Sequence, residues 1–138
     1  MIPSYDDRAV QVLEEAEQLK LQCQHEESIA LLEGLLSRDP SNIAALEELA
    51  DNELSLQHFD RAEKAAKQAV ALDTESYMGH YILGFIACAR EEWISAEEHL
   101  REANKQQASN PEILRCLGWA LFRSGKRVQG IVTLERAL

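Results

Sequence analysis

The sequence predicts an all-α solenoid, in which pairs of antiparallel helices stack one after another. The main observation is a period: the 138-residue chain repeats itself every 34 residues without an insertion. Leu117-Gly118 falls on Leu83-Gly84 one period earlier, and Ala137 falls on Ala103. Within each copy the apolar residues recur at helical spacing, and no strand-like alternation is found. A period of this length is typical of proteins built from stacked repeats.

Four copies follow from this period, and we expect them to form one domain over residues 1–138. The copies span residues 9–42, 43–76, 77–110 and 111–138, and the last one is truncated. Each has the pattern of a helix, a turn and a second helix. Ser4 or Asp6 is expected to cap the first helix, because its side-chain oxygen can accept from free backbone N–H groups there.

Helix boundaries are marked by capping residues. Thr74 or Ser76 is expected to cap the first helix of the third copy. Asn110 precedes Pro111, which combines a capping residue with proline at the first helical position. Gly125 follows Ser124 and is expected to end the first helix of the last copy, because glycine tolerates the left-handed conformation there.

Composition indicates a folded protein. The chain is 46% apolar and 6% aromatic, which is too hydrophobic for a disordered segment. Its longest apolar run, residues 81–89, is about half of what a membrane-spanning helix needs. The first residues are acidic where a signal peptide would be basic. We therefore expect a cytoplasmic protein with no membrane partner in this segment.

Catalytic and metal-binding chemistry finds little support in the sequence. The three cysteines, Cys23, Cys88 and Cys116, form no Cys-x-x-Cys pair, which argues against a zinc ribbon or a disulfide framework. No phosphate-binding loop, zinc-protease motif or serine-hydrolase motif occurs. We expect no enzyme activity, no catalytic residue, no metal and no cofactor.

Charge is distributed unevenly along the chain. The net charge is −10, and residues 1–58 alone carry 13 acids and 3 bases. Residues 111–138 carry 2 acids and 5 bases. An acidic half repels phosphate backbones, so nucleic acid is not an expected partner. It would attract a basic segment of another protein, although a solvated acidic face explains the charge equally well.

Glycine occurs inside two predicted helices. Gly84 and Gly118 lie mid-helix, where glycine costs roughly 1 kcal/mol relative to alanine. A repeated cost of this kind suggests close approach of the partner helix. The expected contact positions on that helix, Ala96 and Gly130, are also small.

These residues resemble the tetratricopeptide repeat, a helix-turn-helix unit of 34 residues, over nearly the whole chain. At the turn positions where that family favours glycine, the first three copies carry Cys23, Gln57 and Glu91. The resemblance implies a right-handed superhelix, whose concave side is lined by the first helix of each pair. The positions that match the pattern most fully are Leu83, Gly84, Trp93, Ala96, Leu100 and Ala103 in the third copy, and Leu117, Gly118, Leu121, Gly125, Gly130, Leu134 and Ala137 in the fourth.

By this resemblance, the groove binds a peptide or a partner helix. Its acidic residues would receive a basic segment, its aromatic residues an apolar anchor, and its arginines a carboxylate. Phe85 and Phe122 fit equally well as ordinary core residues. The expected groove residues are Glu17, Glu47, Asp51, Met78, Tyr81, Phe85, Arg115, Trp119, Phe122 and Arg123.

The end of the sequence permits alternatives. Stacked repeats normally finish with a polar helix, yet the last helix here carries Ile131, Val132, Leu134 and Leu138. One hypothesis is that the chain is the N-terminal part of a longer protein. Another is a self-associating scaffold, a homodimer that stacks through this face. A third is a regulatory segment of a larger enzyme.

Overall fold

The fold is all-α, as the sequence predicts. The structure is a computed structural model that describes residues 5–138, with side chains from residue 8 onward. Ser4 and the side chain of Asp6, the proposed caps of the first helix, lie outside this description. Eight helices occur in the described part: α1 (Tyr5–Leu21), α2 (His25–Arg38), α3 (Ile43–Ser55), α4 (Phe59–Leu72), α5 (Tyr77–Ala89), α6 (Trp93–Gln106), α7 (Pro111–Arg123) and α8 (Arg127–Arg136).

The chain divides into two compact units, which we call unit 1 (to Leu72) and unit 2 (from Asp73). Unit 1 holds α1 to α4, and unit 2 holds α5 to α8. In each unit every helix packs on the next one, and the first helix also contacts the third. Within residues 5–138 we find no helix that is both long and apolar enough to span a bilayer.

The turns show the repeat directly. The left-handed residues Cys23, Gln57, Glu91 and Gly125 have φ angles of 60°, 62°, 60° and 99° and follow one another at intervals of 34 residues. One residue later, the backbone N–H reaches back to a carbonyl five residues earlier, from Gln24 N to Leu19 O at 2.8 Å in the first turn. The same bond closes the other three turns at 2.8–2.9 Å. Each pair therefore turns in the same way, although glycine is present in the last turn alone.

Helix starts follow the same interval. Asn42, Ser76 and Asn110 are the N-cap residues of α3, α5 and α7. The side-chain oxygens of Asn42 and Ser76 accept from the backbone N–H three residues on, at 3.0 Å in both cases. Asn110 accepts from two backbone N–H groups of the first turn. The predictions of Ser76, rather than Thr74, and of Asn110 with Pro111 are confirmed.

The helical glycines mark close helix crossings, as expected. A Cβ atom on Gly118 would lie 3.0 Å from the carbonyl oxygen of Gly130, so these two backbones touch. At Gly84 the nearest atoms belong to a buried leucine of the partner helix. A Cβ atom there would lie 2.5 Å from Cγ of Leu100, so this side chain lies directly above the glycine.

The core of unit 1 contains a polar network that the sequence did not reveal. Asn52 is fully buried in α3, and its amide nitrogen donates to Ser28 Oγ at 3.0 Å. Its amide oxygen lies 2.9 Å from Nδ1 of His25. Ser28 in turn donates to the carbonyl oxygen of Ala16 at 2.7 Å. Because buried polar groups are costly without partners, this chain of bonds fixes how α1, α2 and α3 pack together.

Candidate functional site

A largely apolar pocket of about 470 Å³ opens between α5, α7 and α8 in unit 2. The two helices that supply most of its wall are the first members of successive pairs, which is where the predicted groove was placed. Residues one turn apart on the same helix face the pocket together, because side chains three or four positions apart share one helix face. The lining residues are Phe85, Cys88 and Ala89 on α5, Arg115, Cys116 and Trp119 on α7, and Leu134 on α8.

Helix α7 presents this surface because its other side is buried. Ile113, Leu117 and Leu121 recur at helical spacing and are at most 3% exposed. Their burial against the neighbouring helices turns the opposite face of α7 outward. Arg115 and Trp119, four residues apart, lie on that outward face, and Trp119 is 44% exposed.

The Trp119 ring is held in position by its neighbours. It stacks on Phe122 with ring centroids 6.0 Å apart and planes inclined by 10°. The Arg123 guanidinium lies 5.5 Å from the Trp119 ring and 5.0 Å from the Trp93 ring, within the range of cation–π attraction. Arg123 also approaches Glu91 at 3.8 Å. A large aromatic side chain is thus oriented before any ligand binds.

The two thiols of the pocket behave as apolar lining. Cys88 Sγ points to the carbonyl oxygen of Cys116 at 3.9 Å. Burial, reinforced by the neighbouring Cys116, raises the pKa of Cys88 to about 11, and burial also raises the pKa of Cys116. Both thiols therefore stay protonated near pH 7, where only a thiolate would be a good nucleophile. These groups contribute surface to the pocket and not covalent chemistry.

Tyr81 lies beside the pocket and not in its lining. Its hydroxyl group donates to Oε2 of Glu112 at 3.4 Å. Burial raises the pKa of this hydroxyl, and electrostatic interactions with Cys116 and Glu112 act in the same direction. The phenol therefore remains neutral, and it links α5 to the first turn of α7.

Arg115 is an exposed cation at the edge of the apolar pocket. It also borders a second cavity of about 730 Å³, formed by residues 106–112 at the start of α7. Within residues 8–138 its guanidinium forms no ion pair. Arg123 and Lys126, by contrast, approach Glu91 at 3.8 Å and Glu97 at 3.0 Å.

In unit 1 the predicted acidic surface is partly neutralised by its own chain. Lys20 Nζ contacts Glu48 Oε2 at 2.7 Å and Asp51 Oδ2 at 3.0 Å. Burial lowers the pKa of Lys20, but the hydrogen bonds to these two carboxylates outweigh it, so that the pKa is raised overall. Glu17 is exposed on α1, and Glu47 is half-buried on α3. Asp51, an expected receptor for a basic segment, is thus already engaged.

The structure brings together part of the predicted groove. Phe85, Arg115 and Trp119 line the pocket, whereas Phe122 and Arg123 support it from one side through the Trp119 ring. Tyr81 and Met78 lie on α5 outside the lining and are half-buried. Sequence reasoning missed Cys116, Trp93 and Leu134. Cys116 follows a predicted groove residue directly, so a wider definition of the exposed face would have included it.

Leu134 does not lie on the exposed face of the last helix where the sequence analysis placed it. Its Cγ atom would lie 2.7 Å from a Cβ atom on Gly118, so the side chain packs onto α7 and lines the pocket. It is therefore turned away from the face proposed for self-association. Ile131, Val132 and Leu138 are exposed by 47%, 51% and 104%, as that proposal requires.

The histidines described by the structure are engaged by other groups of the chain. Within the described residues, no group of three His, Cys, Asp or Glu side chains could hold a metal ion. His80 is instead engaged within unit 2, since its Nδ1 lies 3.0 Å from Nδ1 of His99 and its Nε2 lies 2.9 Å from the carbonyl oxygen of Thr74. A carbonyl can only accept, so Nε2 of His80 carries the proton.

Similar proteins are found by comparing structures and not by comparing sequences. No protein-family model matches the sequence, and neither does any curated protein. A crystal structure of MamA superposes with a TM-score of 0.78 at 21% identity, covering 93% of this chain and 70% of that one. A thermophilic TPR protein of Thermus thermophilus gives a TM-score of 0.78 at 21% identity, covering 93% of this chain and 72% of that one.

The fold is that of a tetratricopeptide-repeat solenoid. The resemblance inferred from the 34-residue period is thereby confirmed. A third solved structure, YrrB, is described as a TPR protein with an unusual peptide-binding site. It gives a TM-score of 0.79 at 17% identity and covers 91% of this chain and 65% of that one. At these identities the likeness concerns the fold.

Proposed function

We propose that this chain is a non-enzymatic protein–protein interaction module that binds a peptide or partner helix on the surface of unit 2 around Trp119. The observation that carries the proposal is the exposure of this side chain together with the fixed orientation of its ring. Trp119 is 44% exposed at the mouth of an apolar pocket, and stacked neighbours hold its ring. Exposed, oriented tryptophan beside a pocket is the kind of anchor that dominates binding energy in protein interfaces.

The shape and chemistry of the pocket agree with this proposal. Its volume of about 470 Å³ is large enough to accept apolar side chains of a ligand, and its wall offers aromatic, aliphatic and neutral thiol groups. The raised thiol pKa values argue against cysteine nucleophiles at this site. Among the structural neighbours, YrrB supports peptide binding by analogy of fold.

A second contact surface, for a basic segment, remains a proposal for unit 1. Its acidic groups are Glu17, Glu47 and Asp51, and Lys20 offsets part of their charge. We expect this surface to contribute to association rate more than to affinity, since solvent-exposed charges mainly steer encounter.

The proposal can be tested by peptide selection and footprinting. Random twelve-residue peptides displayed on phage are selected against the whole chain, and a selected peptide is then added during hydrogen–deuterium exchange. We expect added protection in α5 and α7, which form most of the pocket wall. Selection that yields no binding peptide, or protection confined to other helices, would overturn the proposal.

Self-association is a second candidate function, favoured by the exposed apolar face of α8. Ile131 and Val132 form this face together with Val128, which is 76% exposed, and Leu138 is exposed beyond the end of α8. Sedimentation measured over a range of concentrations should show a dimer that the double variant Ile131→Glu, Val132→Glu loses. A wild-type chain that stays monomeric up to millimolar concentration would exclude this function.

A further inference from the structure

We infer that the contact between His80 and His99, which we call the histidine pair, is a proton-sensitive link: it holds the start of α5 against α6 near neutral pH and is weakened by acid. His80 is 8% exposed on α5, and His99 is half-buried on α6. Neither residue lines the apolar pocket. The inference therefore does not depend on what unit 2 binds.

The hydrogen-bond geometry limits how many protons the histidine pair can hold. Nε2 of His80 donates to the carbonyl oxygen of Thr74 at 2.9 Å, and the two Nδ1 atoms lie 3.0 Å apart. The ring centroids are 5.3 Å apart, about one ring radius beyond the nitrogen on either side, so the two Nδ1 atoms point at each other. One of them donates and the other accepts, and a single hydrogen lies between the rings.

A second hydrogen between the rings is incompatible with this contact. With both imidazoles neutral, His99 donates from Nδ1 to His80, and one further proton on Nε2 of His99 leaves that bond intact. When both rings are charged, each Nδ1 carries a hydrogen, and two cations would face each other at 3.0 Å without an acceptor. The doubly charged pair is therefore favoured only after His80 and His99 separate.

Equivalent positions in the neighbouring hairpins show that the repeat does not require histidine here. One period before the histidine pair, the chain has Leu46 and Ala65, and one period after it, Leu114 and Thr133. These four side chains are at most 8% exposed. A leucine and a small residue thus fill the same place elsewhere, and the third hairpin replaces them with two rings that change charge near neutral pH.

Glu102 on α6 is the charged group that acts on both rings. It lies one turn after His99, and the pKa of its carboxyl group is lowered, chiefly by the hydrogen bond with Lys105 and also by attraction to the two histidines. A nearby carboxylate favours the charged form of an imidazole. Glu102 therefore assists proton uptake by the pair, but it does not supply an acceptor between the two Nδ1 atoms.

The other charged groups near the pair are engaged elsewhere. In the loop before α5, Asp73 accepts from the backbone N–H of Glu75 at 3.0 Å. Helix α7 also packs on both α5 and α6. Of the charged residues on its first two turns, Glu112 receives the Tyr81 hydroxyl group and Arg115 lines the apolar pocket.

Hydrogen–deuterium exchange of the whole chain at pH 7.5 and pH 5 tests the link. Protection factors compare each amide with an unfolded peptide at the same pH, which removes the direct effect of pH on exchange. Residues 80–84 should lose protection about tenfold or more at pH 5, because each unit below the ordinary histidine pKa of about 6.5 favours the open, doubly charged form about tenfold. Carboxylates stay mostly ionised at pH 5, so residues 117–121 of α7 should change less than about threefold.

The matched variant gives the third hairpin the residues of the second. His80→Leu combined with His99→Ala reproduces Leu46 and Ala65, and protection of α5 should then agree within about threefold between the two pH values. His58→Gln removes a histidine outside the pair, between α3 and α4, and should leave the acid response of α5 unchanged. Circular dichroism checks that both variants fold.

NMR spectra of the histidine ring nitrogens give a readout that needs no variant. At pH 7.5 His80 should be the Nε2–H tautomer and His99 the Nδ1–H tautomer, because only this combination of neutral rings satisfies both hydrogen bonds. In concentrated urea this difference between the two residues should disappear.

The inference is supported if acid lowers the protection of α5 in the wild type and the double variant abolishes this response. It is overturned if the protection of wild-type α5 is the same at both pH values, or if the double variant shows an equal loss. Nε2–H tautomers at both His80 and His99 would also overturn it, whether or not the double variant folds.

Discussion

Gly118 of α7 lies against Gly130 of α8 so closely that neither position has room for a side chain. A Cβ atom on Gly130 would lie 2.7 Å from the carbonyl oxygen of Gly118, and the reverse distance is 3.0 Å. The crossing matters for the candidate site because Trp119 follows Gly118 directly. The same crossing seats Leu134 over α7, where it forms part of the pocket wall.

The first prediction concerns this crossing. Gly118→Leu should lower the free energy of unfolding by about 3 kcal/mol, since the added side chain must displace Leu134 and a backbone carbonyl. Gly34→Ala is the control, because no atom lies within 4 Å of its Cβ position. It should raise stability by up to about 1 kcal/mol through helix propensity. Urea unfolding measures both, and an unchanged midpoint for Gly118→Leu would refute the packing described.

The second prediction concerns the left-handed turn residues. Gln57 has a φ of 62°, a conformation that costs a residue with a side chain of order 1 kcal/mol. Gln57→Gly should therefore raise the free energy of unfolding by about 0.5–1 kcal/mol. Gly125→Ala, at a φ of 99°, should lower it by at least as much. Thermal unfolding would disprove the turn geometry if the two variants shifted the melting temperature in the same direction.

The third prediction concerns the buried amide of unit 1. Asn52→Ala removes the partner of both Ser28 and His25, and it should cost about 1–3 kcal/mol of stability. Gln68→Ala, an exposed amide on α4, should change stability by less than about 0.5 kcal/mol. Urea denaturation measures both variants. An equal loss of unfolding free energy for Asn52→Ala and Gln68→Ala would show that the Asn52 hydrogen bonds do not stabilise unit 1.

The fourth prediction concerns the pH dependence of the pocket thiols. The pKa of Cys88 is about 11 in the folded chain, against an ordinary value of 9.0. At pH 8, iodoacetamide should therefore modify the exposed Cys23 well before Cys88. Mass spectrometry of the digested protein gives both rates, and equal rates at pH 8 would contradict the half-buried position and raised pKa of Cys88.

The raised pKa of Cys88 also makes the stability of the fold depend on pH. Between about pH 9 and pH 11 the unfolded chain releases the Cys88 proton while the folded chain keeps it. The folded state then binds more protons, so stability falls as the pH rises through this window. Cys88→Ala should flatten that fall, which urea unfolding at pH 8 and pH 10 can measure.

Periodicity was sufficient to predict the fold. The 34-residue interval placed the helix pairs, and side-chain chemistry predicted the cap at Asn110 and narrowed the cap of α5 to Thr74 or Ser76. The helical glycines revealed the α7–α8 crossing, because a costly residue at a repeated position needs a packing reason. These features depend on local sequence, which is why a single sequence contains them.

The candidate site was less predictable because its contacts join residues far apart in the chain. The position of the Arg123 guanidinium between two tryptophans depends on how α6 meets α7, and the Lys20 bridge depends on how α1 meets α3. The inward orientation of Leu134 arises from the space left by Gly118. The position of each residue in the sequence predicts which face of its helix it lies on. It does not predict which residue of another helix it contacts.

The most direct test of the central claim is the affinity of one selected peptide for two variants that each lose an exposed apolar side chain of unit 2. Trp119→Ala alters the pocket mouth, and Ile94→Ala alters α6 outside it, where Ile94 is 76% exposed. The account predicts that Trp119→Ala raises the Kd at least about 30-fold, or roughly 2 kcal/mol, while Ile94→Ala leaves it within about twofold. Equal Kd values for wild type and a folded Trp119→Ala variant would contradict it.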